Sequence, residues 1–203
     1  MNYRVKQKLA LLVLAVSVSG MAFAQGKPTR LRGDITSFQD GVLTVARASG
    51  DSVKIEVPKD FKVNAVDRMK MSDIKKGSYV GIATTTGLNG TLTAREVVVF
   101  PESARGMGEG HYAWDLGAKS TMTNANVDNV VTGTDGRNLS LSYKGGNNKI
   151  TVPDNVPVVT PVAAEATDLV PGKKVFVIAV SGSNGVYSPK FLVVEKNGVV
   201  PPM

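Results

Sequence analysis

The 203-residue chain contains no cysteine. Disulfides, thiolate metal sites and thiol nucleophiles are therefore excluded. Histidine occurs once, at His111, tryptophan once, at Trp114, and aromatic residues make up only 6% of the chain. Any metal site would have to be built around a single imidazole, and few rings are available for stacking on nucleic acid bases. Concentrated charge is lacking too. No run of five like charges occurs, and beyond residue 24 there are 21 basic against 17 acidic residues. Such a dispersed balance provides no patch for nucleic acid or an anionic membrane. Long hydrophobic runs are also missing: the longest, Leu9–Val18, has ten residues, where a membrane span needs about twenty.

That short run reads instead as the core of a secretory signal over residues 1–24. Arg4, Lys6 and Lys8 precede it, Gly20 follows, and Ala22 and Ala24 supply the small residues of a cleavage site after Ala24. No cysteine is present for lipid attachment. The expected location is the periplasm, and the expected mature chain is not an integral membrane protein.

What the sequence does have is a repeat. "VP" at 57–58 recurs at 152–153, "SDI" at 72–74 as "TDL" at 167–169, Gly77 as Gly172, and "NG" at 89–90 at 184–185. Gly41 and Gly50 likewise match Gly136 and Gly145, every pair lying 95 residues apart. A constant spacing over so many landmarks predicts a duplicated unit, placed at 30–100 and 126–196. A linker of 101–125 would join the copies, and 197–203 would form a tail.

Each copy reads as strands. "SVKIEVP" alternates Val53, Ile55 and Val57 with Lys54 and Glu56, the two-residue period of a half-buried strand. "SDIKKG" reads as one helical turn capped by Ser72 and stopped by Gly77, and "GLNG" supplies a hairpin turn. Three strands, a short helical element and two further strands predict an all-β fold of two tandem small OB-like β-barrels. Leu43, Val45, Ile55, Val57 and Val80 are the expected core, mirrored by Leu139, Leu141, Ile150, Val152 and Val175.

With "RGMGEGHYAWDLGAKSTMTNA" (Arg105–Ala125), "SDIKKGSYVG" and the terminal "NGVVPPM" in view, the chain resembles a family of uncharacterised secreted proteobacterial proteins built from small β-repeats of a domain-of-unknown-function type. Relatives sometimes carry the label "metal ABC transporter permease". A permease needs several spanning helices, which this sequence does not provide. The resemblance implies a secreted repeat architecture and no activity.

Function then turns on "GMGEGHYAWD" (106–115), which holds three alternating glycines and the rarest side chains of the chain. "GEGHYA" fits G-x-G-x-x-A formally, but it opens no predicted helix and is set aside. Glu109, His111 and Asp115 offer two carboxylates and an imidazole to a divalent transition metal, one ligand short of most tight sites. A hydrolase would have to combine His111 with Asp115 and Ser120, without a nucleophile elbow. The reading that fits best has Tyr112 and Trp114 buried as a wedge between the barrels, or forming a cleft with Arg105 and Trp114 at its mouth. The expected function is non-catalytic binding or scaffolding in the cell envelope, for an envelope protein or a small ligand. A metal-binding accessory role is the alternative, and a hydrolase comes third.

Overall fold

The computed structural model describes residues 27–133, 136–182 and 184–201. The expected signal over 1–24 lies outside the described residues. The fold is all-β. The N-terminal half contributes β1 (Thr29–Gln39), β2 (Val42–Ala46), β3 (Ser52–Glu56), β4 (Asn64–Arg68), β5 (Tyr79–Thr86) and β6 (Leu92–Phe100). After β7 (Gly110–Ala113) come β8 (Ser120–Gly133), β9 (Gly136–Tyr143), β10 (Gly146–Val152), β11 (Val158–Ala163), β12 (Lys174–Ser181) and β13 (Tyr187–Val194). The helical elements among the described residues are single 3₁₀ turns at Met71–Asp73, Glu102–Ala104 and Ala166–Asp168.

Local sequence explains these elements well. In β3, Val53 and Ile55 are buried while Ser52, Lys54 and Glu56 are exposed, as alternating side chains on a pleated strand require. Gly90 and Gly185 take the positive φ that the two "NG" hairpins demand. The "SDI" turn differs in its cap. It starts one residue early, and Asp73 accepts a hydrogen bond from the backbone N–H of Lys70 at 3.1 Å. Asp168 does the same for Glu165 at 3.0 Å. The carboxylate three residues on closes the turn, so Ser72 is not its cap.

Strand pairing departs from the tandem arrangement. β1, β2 and β3 form an antiparallel meander, but the ring is completed by β12 and β13 from the other half. β1 pairs with β12, β12 with β13, and β13 runs parallel to β3. The meander β8–β9–β10 is completed in the same way by β5 and β6, with β6 parallel to β10. The closed rings therefore do not follow the 30–100 and 126–196 boundaries, because each takes its last two strands from the opposite half. The pattern is self-consistent. Every pairing in one ring has its counterpart in the other, down to bulges at Ile35/Ser37 and Val127/Asn129 and at Ala83/Thr84 and Ile178/Ala179.

The rings are also one continuous sheet. β4 pairs antiparallel with β11, Val66 facing Pro161, while β4 runs parallel to β13 and β11 parallel to β6. Val66 and Pro161 lie 95 residues apart, the spacing of the sequence repeat. Backbone hydrogen bonding through β4 and β11 joins the two rings.

Each ring has its own core. Leu31, Ile35, Leu43, Val45, Ile55, Val177 and Leu192 fill one, and Val80, Ile82, Val97, Leu139, Leu141 and Ile150 the other. All ten residues expected in the core are buried, none above 5% exposed. A third, smaller cluster of Val66, Val98, Val159, Val193 and Val199 lies between the rings. Val199 brings the C-terminal tail onto this seam rather than onto one barrel.

Candidate ligand cavity at the seam

Segment 101–119 leaves β6, crosses the seam and returns as β8. β7 pairs with the start of β8, setting His111 opposite Thr123 and Tyr112 opposite Met122. Alternation then sends Tyr112 and Trp114 to the seam face and His111 to the other. The segment is tied down at both ends. Met107 O accepts hydrogen bonds from Tyr79 Oη at 3.2 Å and Asn124 Nδ2 at 3.1 Å. Beyond β7, Asp115 takes two hydrogen bonds from the Arg32 guanidinium, each 2.9 Å. The Arg30 guanidinium lies 3.7 Å from the centroid of the Trp114 ring. Arg30 and Arg32 belong to the opposite ring, so the segment clasps one ring to the other.

Beneath it lies a cavity of about 270 Å³. Its floor is made by Val66, Val98, Pro161 and Val193, two pairs related by the 95-residue offset. One wall comes from Gly81, Phe100, Met122 and Asn124, the other from Phe176, Ile178, Lys190 and Phe191, and Met107, Gly108, Tyr112 and Trp114 cover it. The two walls are not equivalent. Phe176 occupies the position equivalent to Gly81, and a Cβ on Gly81 would lie 2.7 Å from Asn124 Oδ1 and 2.9 Å from the Phe100 ring.

Polar groups without partners mark this region. Asn124 is only 7% exposed. Its Nδ2 is committed to the Met107 carbonyl and the Tyr112 hydroxyl, which fixes the amide orientation and leaves Oδ1 buried without a donor. Trp114 Nε1 is buried without an acceptor. Elsewhere, a further such atom among the described residues is Oε1 of Glu96, a carboxyl 1% exposed on β6. Burial pushes the Glu96 carboxyl up to about 8, against an opposing pull from the Arg32 charge. Tyr79 is pushed up to about 12, by burial first and by the Glu109 charge second.

The expected metal ligands do not come together. Among the described residues no three His, Asp or Glu side chains converge. Glu109 Oε1 accepts from the Lys144 N–H at 2.8 Å. His111 Nδ1 lies 2.8 Å from Thr123 Oγ1 and 3.0 Å from Asn148 Nδ2, with its ring stacked on Tyr143. Asp115 is occupied by Arg32. Burial alone would raise the Asp115 carboxyl, but hydrogen bonding and charge from Arg32 hold it below its usual value. The Ser120–His111–Asp115 combination is not assembled either, since Ser120 Oγ donates to Gly117 O at 2.9 Å and accepts from Leu116 N–H.

Of the three expected binding residues, Tyr112 and Trp114 line the cavity. Arg105 does not. It is bound to Glu102, Asn126 and the Gly77 carbonyl at the far end of the segment. Trp114 is half-buried and Tyr112 is 37% exposed, so they form a cover rather than a fully buried wedge. Sequence reasoning missed Asn124, Phe100, Phe176 and Phe191. The signal available was the Gly81/Phe176 mismatch between otherwise similar halves. Compared with protein-family models, curated proteins and solved structures, the chain matches none of them.

Proposed function

We propose that the protein is a non-catalytic binding module of the cell envelope that takes a small, largely apolar ligand into the seam cavity. The observation that carries this reading is the aromatic-lined 270 Å³ cavity under a fastened cover. An engineered apolar cavity of about 150 Å³ already accepts benzene, so a fused bicyclic ring fits the larger volume. Export to the periplasm, suggested by residues 1–24, supplies the compartment. Descent from a duplicated OB-like unit accounts for the architecture: each ring has the order of such a barrel, with its last two strands exchanged between copies.

Equilibrium dialysis against naphthalene tests the reading. One molecule should bind per chain, with Kd on the order of 100 µM or tighter. The variant Met107→Phe/Ile178→Phe, which fills the space, should abolish binding while remaining folded. Uptake that is absent, or unchanged in the filled variant, contradicts it.

A further inference from the structure

We infer that the ligand is an apolar organic anion whose acidic group is held at the cavity rim by Lys190. This rests on the seam cavity being the binding site. β13 carries a bulge there. Ile178 of β12 faces Phe191 and Ala179 faces Pro189, so Lys190 is an extra residue with no cross-strand partner. In a regular strand Lys190 and Phe191 would point to opposite faces. A bulge re-aims the side chains beside it, and both residues line the cavity. Lys190 is also exposed, so its stem follows the wall while the ammonium stays at the solvent edge.

Charge around the cavity has one sign. No acidic residue lines it, and Lys190 is the one charged side chain that does. Among the described residues Lys190 has no ion-pair partner. A second cation stands close by. Arg30 pairs with Ile178 across β1 and β12, which sets both on the cavity face, and its guanidinium lies over the Trp114 ring. The acids of the covering segment are engaged elsewhere: Glu102 by Arg105, Glu109 by the Lys144 N–H and Asp115 by Arg32. A hydrocarbon leaves this positive rim unused, and a cation is repelled by it. An apolar body with one carboxylate uses both parts of the site. Its body packs against Phe100, Phe176 and Phe191, and its carboxylate accepts from the Lys190 ammonium.

Calorimetry on the intact protein with three probes of one ring system decides the matter: naphthalene, 2-naphthoate and 2-naphthylmethylammonium. The carboxylate should bind about tenfold tighter than naphthalene, as one charge-assisted contact at a partly wet rim implies. The ammonium probe should bind more weakly than naphthalene. Raising the salt from about 20 mM to about 0.5 M should remove most of the carboxylate's gain. In Lys190→Met, which keeps the apolar stem, the naphthoate-to-naphthalene affinity ratio should fall to about three or less. Naphthoate that binds the wild-type protein no better than naphthalene overturns the anion assignment and leaves the cavity reading intact. A preference that survives Lys190→Met overturns the role given to Lys190. If none of the three binds, the cavity reading fails and takes this inference with it.

Discussion

Arg32 on β1 and Asp115 after β7 are joined by two hydrogen bonds of 2.9 Å that cross from one ring to the cover of the other. Both side chains are partly exposed, at 29% and 40%, so solvent screens the pair and its worth is about 0.5–1 kcal/mol. Asp115→Asn should lower stability by that amount at neutral pH. Because the Asp115 carboxyl is held below its usual value, the contribution is present above pH about 4 and lost as the pH falls through the lowered value. Wild type and variant should therefore converge in strong acid, as thermal melts from pH 7 to 2 will show.

Glu96 has the opposite sign. Its carboxyl titrates near 8 in the folded protein and near 4.5 when unfolded, so the penalty for burying it is absent in acid. The penalty grows as the pH rises from about 4.5 to 8 and then levels off. Glu96→Gln should match wild type at pH 4. It should become more stable by several kcal/mol, on the order of 4, by pH 8. Denaturant melts of both proteins across that range check the curve. A constant difference would show that Glu96 does not titrate there.

Gly33 sits where β1 passes close to β2. A Cβ at this position would lie 2.0 Å from the Ala46 carbonyl oxygen, a backbone atom with no side-chain freedom to retreat. Gly33→Ala should cost about 1–3 kcal/mol or more, read as a lowered denaturation midpoint.

The exchange of strands makes a prediction that tandem barrels do not share. A protease site inserted after Ala118, in the exposed turn before β8, allows the chain to be cut between its halves. Since each ring contains strands of both, the nicked halves should stay together as a 1:1 complex and unfold in one transition. Two independent barrels would separate on gel filtration.

Much of this fold was legible in the sequence, and the reason is periodicity. Alternation in "SVKIEVP" fixes which face of β3 is buried, and the 95-residue spacing identifies equivalent positions such as Ile55 and Ile150. Neither feature says which meander a hairpin completes. β5–β6 makes the same kinds of contact whether it closes on β1–β3 or on β8–β10, so local patterning is blind to the choice. The route of the chain through β4, which crosses to pair with β11, makes that choice. The candidate site was half legible. The rare residues in "GMGEGHYAWD" pointed to the right segment, and the two-residue period of "HYAW" separates Tyr112 and Trp114 from His111. The residues beneath them come from strands distant in sequence, and only the exchanged topology brings Phe100 and Phe176 to one cavity. The same folding dispersed the apparent metal cluster: Glu109 and Asp115 lie beyond the two ends of β7 and are taken up by the Lys144 N–H and by Arg32.

Methionine-methyl NMR tests the central claim, that the seam cavity takes an apolar ring, most directly. Met107 and Met122 line the cavity, whereas Met69 and Met71 pack against the core of one ring. On saturation with naphthalene, ring currents should shift the methyl signals of Met107 and Met122 and leave those of Met69 and Met71 in place. Shifts confined to Met69 and Met71, or no shifts at all, would contradict the account.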